Sequence, residues 1–135
     1  MTKTFEFTPG LQLGIDIIDE QHAEFYVLME RLTGADATEE HRELVEDTLD
    51  ALSEYVYTHF RTEENMMVKA GYPDFMEHHK KHAEFVGKVM EFNRKFRKGE
   101  IGLESEVLGF LVEWFTDHIR EEDPKYVADM EKFGF

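Results

Sequence analysis

Along this chain, apolar side chains recur every three or four positions in four separate stretches. In the first the stripe runs through Ile18, position 22, Phe25, Met29 and Leu32. In the second it runs through Val45, Leu49, Leu52, Val56, positions 59 and 63, Met66 and Ala70. The third carries Phe75, positions 78 and 82, Phe85, Val89, Phe92 and Phe96, and the fourth Val107, Leu111, Trp114 and position 118. Such spacing keeps each set on one face of an α-helix, and the strict alternation of a half-buried strand is almost absent. Breakers divide the stretches: Gly34 to Thr38, Gly71-Tyr72-Pro73, Lys98 to Gly102 with two glycines, and a late Asp123-Pro124. Glycine stops helices and proline starts them. Amphipathic helices joined by short turns bury their stripes best as an antiparallel bundle. The pattern therefore predicts an all-α fold, an up-down-up-down four-helix bundle with an N-terminal arm and a short C-terminal helix. At 135 residues the chain fits a single domain, 1–135.

The unnamed stripe positions are polar: His22, His59, Glu63, His78, His82 and His118. An ionisable group on a core-facing position is costly, because burial disfavours its charged form. One histidine there is ordinarily a hydrogen-bonded core residue, and one glutamate a paired acid. Six spread over four helices call for a shared cause. His59 and Glu63 are four residues apart, as are His78 and His82, so each pair projects from one face about 6 Å apart along the axis.

In an up-down hairpin, residues at one height are equidistant from the turn. The midpoint of positions 61 and 80 falls at Gly71 or its neighbour, and that of 80 and 118 at Gly99. The midpoint of 22 and 61 lies near 41, beyond the first breaker, so the first turn is expected to be longer or shifted. Two of three hairpins thus set these side chains in one layer. His41 precedes His59 by roughly 27 Å of helix and His79 points about 100° away from His78, so both are read as surface residues. Asp123 is a seventh candidate. Five residues after His118 it would face away on a continuous helix, but Pro124 disfavours helical geometry at the preceding residue. The helix is expected to end between Ile119 and Glu122 and let Asp123 fold back.

Composition narrows the chemistry. With no cysteine, disulfides, thiolate zinc sites and ordinary iron–sulfur clusters are excluded. Any metal must be held by His, Asp and Glu. Five imidazoles and two carboxylates exceed what one ion uses and suit two first-row transition metals, among Zn, Cu, Fe and Ni. Calcium and magnesium prefer oxygen donors. A formal net charge of −15 argues against a nucleic-acid partner and otherwise describes solvated helix faces. Met1 to Phe7 lacks the pattern of a signal peptide. No stretch reaches the roughly 20 apolar residues of a membrane span, so the expected compartment is the cytoplasm.

The ordered motifs are Asp19-Glu20-Gln21-His22, His59-Phe60-Arg61-Thr62-Glu63-Glu64, His78-His79-Lys80-Lys81-His82, and Trp114-Phe115-Thr116-Asp117-His118-Ile119 with Asp123. Together with Gly14-Ile15 and Gly71-Tyr72, they resemble the hemerythrin family, in particular its single-domain bacterial members, over nearly the whole chain. The resemblance implies two iron ions with a bridging oxo or hydroxo group. His78, His82 and His118 would hold one, His22 and His59 the other, and Glu63 and Asp123 would bridge. The second iron would keep an open position for reversible O2 binding, inside an apolar pocket matching Phe25, Phe60, Trp114 and Ile119. Ordinary core packing explains those four equally. Two departures stand out. Phe5 and Phe7 occupy a region where the family often has a tryptophan, and Glu121 and Glu122 beside Asp123 are competing acids.

Three functions compete. The first is an O2-binding protein for storage, transport or delivery, with any protein acceptor of the O2 unknown. The second is a di-iron enzyme or sensor, such as a peroxidase, an oxidase or a nitric-oxide-handling protein. Di-iron oxygenase bundles use more carboxylates and a Glu-x-x-His spacing. No proposed ligand pair here has that spacing, which favours binding over catalysis. The third is an interaction bundle with an incidental metal.

Overall fold

The computed structural model describes residues 11–34, 42–100 and 105–135. All regular structure among these residues is helical: α1 Asp16–Gly34, α2 Arg42–Ala70, α3 Phe75–Arg97, α4 Ser105–Glu121 and α5 Pro124–Phe133. The expected N-terminal arm with Phe5 and Phe7, the first turn and His41 lie outside them.

The helices pair antiparallel. Arg42 at the start of α2 donates to the carbonyl of Arg97 at the end of α3, 3.0 Å away, while Glu63 and His78 meet at the opposite end. His78 early in α3 likewise meets His118 late in α4. α1 packs on α2 and α4, and α5 folds back against α2. Two turns follow from their glycines. Gly71 (φ +73°) ends α2, and its neighbour Tyr72 donates back to the Met67 carbonyl at 3.0 Å. Gly99 (φ +74°) ends α3 in the same way, with Glu100 donating to Lys95 at 2.9 Å. Only glycine adopts that left-handed conformation without steric cost. At the entry to α1, the Asp19 carboxylate accepts from the backbone N–H of Leu13 (2.8 Å) and Gly14 (3.0 Å) and so anchors the incoming chain.

Among the described side chains, which do not include Val107, the predicted stripes are the buried faces. On α3 the buried residues are His78, His82, Phe85, Val89, Phe92 and Phe96, with Phe75 at the margin. One position on α4 is corrected. Trp114 is half-buried at the bundle edge, and the core position belongs to Phe115, alongside Leu108, Leu111 and Ile119. The spacing from Leu111 admits a step of three or four, and the packing of six rings around Phe115 decides for four.

The core has two apolar parts. The larger runs from Phe25, Val56, Phe60, Phe85, Phe115 and Ile119 toward the far end of the bundle. The smaller joins Ile15, Ile18, Met66, Met67, Tyr72, Tyr126 and Met130 at the other end. On every helix the polar stripe positions fall between the two, as in Ile18, His22, Phe25 or Phe115, His118, Asp123, Tyr126. The polar layer is sealed from solvent on both sides by hydrocarbon.

Candidate metal centre

All seven predicted residues meet in that layer, and all are buried: His22, Glu63 and Asp123 at 0% exposure, His59 and His82 at 1%, His78 at 2% and His118 at 5%. α1 supplies one, α2 two, α3 two and α4 one, and Asp123 comes from the α4–α5 junction.

Asp123 arrives by a route the sequence did not suggest. It keeps right-handed helical dihedrals (φ −63°, ψ −36°), against the expectation that Pro124 disfavours them there, although α4 does end within the expected range, at Glu121. Its N–H instead reaches five residues back to the His118 carbonyl at 3.1 Å. This widened turn brings residues five apart onto one face, and Asp123 Oδ1 lies 3.2 Å from His118 Nε2. Pro124 still ends α4, because it lacks the N–H that would continue the ladder. The competing acids are accounted for: Glu121 is exposed, and Glu122 pairs with Lys81 and Lys125.

The donor atoms form two groups. In the first, His118 Nε2 lies 3.0 Å from both His82 Nε2 and His78 Nε2. Asp123 Oδ1 is 3.1 Å from His78 Nε2, and Glu63 Oε1 is 3.2 Å from His78 Nε2 and 3.4 Å from His82 Nε2. In the second, Glu63 Oε2 is 3.0 Å from His59 Nε2 and 3.5 Å from His22 Nε2, and Asp123 Oδ2 is 3.3 Å from His22 Nε2. Each carboxylate gives one oxygen to each group.

These separations have a physical meaning. Donors bound to one ion at about 2.1 Å stand about 3.0 Å apart at right angles and about 3.4 Å apart at the tetrahedral angle. The observed contacts fall at those polyhedron edges. Hydrogen bonding alone does not satisfy the set. His118 Nε2 faces two other Nε2 atoms and Asp123 Oδ1, and one ring nitrogen carries at most one proton to share among them. His59 Nε2, Glu63 Oε2 and both Asp123 oxygens are buried without a well-aligned hydrogen bond. Leaving such groups unpaired costs about 1–3 kcal/mol each. A cation between them satisfies all of them at once, so the residues fit a metal pair of the imidazole–carboxylate type.

The electrostatics agree. Burial alone would pull the His22 and His78 imidazolium ions down, but Asp123 and Glu63 outweigh it and push both up to about 9. Burial likewise opposes the charge on Glu63, yet the facing imidazoles hold its carboxyl well below the usual range, and His118 and His22 do the same for Asp123. For His59 burial wins and its pKa falls. Positive charge inside the layer, as protons or as cations, is what keeps both acids ionised.

Several contributing residues escaped the sequence reading. Gln21 Oε1 sits 2.7 Å from His59 Nδ1, and Glu64 Oε2 3.2 Å from His82 Nδ1. A donated Nδ1–H fixes the tautomer that turns Nε2 inward. Both lie inside the quoted motifs, next to His22 and Glu63. But a helix turns about 100° per residue, so adjacency says nothing about which histidine they reach. His79, expected at the surface, is exposed and pairs with Glu64. Tyr126 is fully buried beneath the cluster, its ring 5.6 Å from that of His78.

The four pocket candidates divide. Phe60 stacks on His82 at 3.8 Å and its ring also lies 5.5 Å from His59, so it borders both groups, while Trp114 stacks on His118 at 4.9 Å in the three-histidine group. Phe25 stacks on Phe115 at 3.8 Å, and Ile119 is buried in the same cluster. The two-histidine group is faced by Phe115, 5.7 Å from His22 and 6.0 Å from His59, and by Tyr55, stacked 5.8 Å from His59.

Fold and site together define a helical-bundle protein that binds metal cations between its helices. The family described as "Hemerythrin HHE cation binding domain" matches residues 13–129, and the chain belongs to the hemerythrin family. It is 35% identical over 122 residues to the bacteriohemerythrin of Stenotrophomonas maltophilia (strain R551-3), covering 90% of this chain and 78% of that one. It is 33% identical over 112 residues to the bacteriohemerythrin of Methylococcus capsulatus (strain ATCC 33009 / NCIMB 11132 / Bath), covering 83% and 85%. A crystal structure of wild-type hemerythrin superposes with a TM-score of 0.80 at 30% identity, covering 96% of each chain.

Proposed function

We propose that this single domain, residues 1–135, binds O2 reversibly at a non-haem di-iron centre and is not an enzyme. His78, His82 and His118 would hold one iron, His22 and His59 would hold the other, and Glu63 and Asp123 would serve both. The observation that carries this reading is the unequal split of the donors. Both carboxylates serve both groups, yet one group has three imidazoles and the other two. The poorer group leaves room for a small ligand beside His22 and His59.

When bound, a ferrous pair supplies two electrons to O2 and recovers them on release. The protein's part is to make that exchange reversible. Glu63 and Asp123 keep the two sites together. Gln21 holds a proton at His59 Nδ1 and so leaves Nε2 free to bind metal. Phe115, Phe25 and Tyr55 surround the two-histidine side with rings and keep water out. A dry pocket admits the neutral gas and opposes escape of a charged reduced oxygen species. Names of relatives support binding over catalysis, since the similar proteins are bacteriohemerythrins.

Among the described residues no helix is long and apolar enough to cross a membrane. A cytoplasmic location is part of this proposal and is tested by cell fractionation. The central test is metal analysis with absorption spectra of the reduced protein before and after air. Two irons per chain, and a visible band that appears with O2 and bleaches under vacuum, are expected. Fewer irons, or steady turnover with a reductant well above that of free iron, would refute the proposal.

A further inference from the structure

Glu64 lies beside the bridging Glu63 on α2 but faces the opposite side of His82. Its side chain is 16% exposed, at the floor of a groove of about 550 Å³ between α2 and α3. Phe60, Val68, Phe75 and Val86 give that groove apolar walls. One carboxylate oxygen lies 3.2 Å from His82 Nδ1 and the other is bonded to Nδ1 of the half-exposed His79, whose ring stacks on Phe75. Both oxygens are therefore committed to histidines three residues apart, neighbours on one face of α3.

We propose that Glu64 is a positioning residue for the three-histidine half of the centre, fixing the tautomer of His82 and, through His79, linking that half to the surface. This rests on the di-iron reading above and deepens it. The contrast with His59 is the argument. Its outward nitrogen meets the neutral amide of Gln21 at 2.7 Å, whereas that of His82 meets an anion. A carboxylate partner raises the basicity of a ligating imidazole more than an amide does. The two halves thus differ in donor strength as well as in donor number. The anionic partner sits behind the half with more ligands, so oxidised iron is favoured there, and the two-histidine half keeps the weaker donor beside its vacant position. His79 holds Glu64 in place from solvent, so the arrangement extends from the metal layer to the groove as His82, Glu64, His79.

The test uses the full chain loaded with zinc, which is diamagnetic and accepts the same donors, and in parallel with iron. Ring 1H–15N spectra of the zinc form should show the His82 proton on Nδ1 and protected from solvent exchange. Glu64→Ala should lose that protection and release zinc to a chelator roughly 10–100-fold faster, the usual effect of removing such a partner. Glu64→Gln keeps shape and a hydrogen-bond acceptor but loses the charge. It should retain the His82 signal, release metal at an intermediate rate and, with iron, show a raised reduction midpoint. His79→Phe should accelerate release less than Glu64→Ala. Wild-type release and an unchanged His82 signal in Glu64→Ala overturn the proposal. So does a wild-type midpoint in Glu64→Gln, which covers the case that the alanine variant does not fold. If wild type itself fails to hold two metals, the di-iron reading falls, while exchange protection of His82 in the metal-free chain still reports whether Glu64 holds it.

Discussion

Glu63→Ala removes the side chain on which both halves of the proposed centre converge. Its Oε1 faces His78 and His82 and its Oε2 faces His59 and His22, at 3.0 to 3.5 Å. In the metal-free protein the deletion leaves Asp123 as the one acid among the five inward-facing Nε2 atoms, with Glu64 reaching only the outer nitrogen of His82. Breaking a fully buried ion pair from one side costs about 3–5 kcal/mol. For a chain of 135 residues, at about 3–5 °C per kcal/mol, that is a fall of roughly 10–25 °C in Tm. Deprotonation of His22 and His78 relieves part of this at high pH, so the loss is largest near neutrality. The loaded protein suffers a second loss. Binding at 100-fold excess over Kd stabilises the native state by about 2.7 kcal/mol, and the variant forfeits whatever share of this belongs to the vacated site. The two-histidine half keeps only His22, His59 and one oxygen of Asp123, so it should empty first. The assay pairs iron analysis after anaerobic reconstitution with thermal melts of metal-free and loaded forms. Two irons per chain in Glu63→Ala, or equal Tm with and without metal in wild type, would refute the reasoning.

Other predictions concern packing, pH and a turn. Phe115→Ala empties a fully buried ring site between Phe25 and His22, so it should cost about 3–5 kcal/mol and shorten the life of the O2-binding form by letting water reach the two-histidine side; unchanged Tm and decay rate would count against the pocket. Metal-free protein should lose stability as pH rises from 6.5 toward about 9, because His22 and His78 are raised to about 9 and their contribution is complete below 6.5. The lowered Glu63 adds stability above 4.5 that disappears only as pH falls through its folded pKa, and the depressed His59 acts only below 6.5, where its stability rises with pH, and so leaves the alkaline fall untouched. Metal loading displaces those protons, so denaturant titrations of loaded protein should show no alkaline fall. Gly71→Ala meets no atom within 4 Å, so its cost is conformational alone, about 1–2 kcal/mol for a left-handed residue; a neutral result in denaturant melts would contradict the turn geometry.

Sequence spacing by itself determined the helices, most of their buried faces and the common height of His59, Glu63, His78, His82 and His118. Those facts depend only on helical repeat and on distance from Gly71 and Gly99, both of which the chain writes locally, whereas the height of His22 was left open by the first turn and came from the packing of α1. The tertiary structure decided what depends on neighbours from other helices. It chose Phe115 over Trp114 for the core, because six rings close around the former. It brought Asp123 in through a widened turn bonded to His118, where local rules for the residue before proline pointed to extended backbone. It paired His59 with Gln21 and His82 with Glu64, contacts between side chains 38 and 18 residues apart that no periodicity encodes. A helix repeat specifies direction from an axis, and only the packing of axes against one another specifies what stands in that direction.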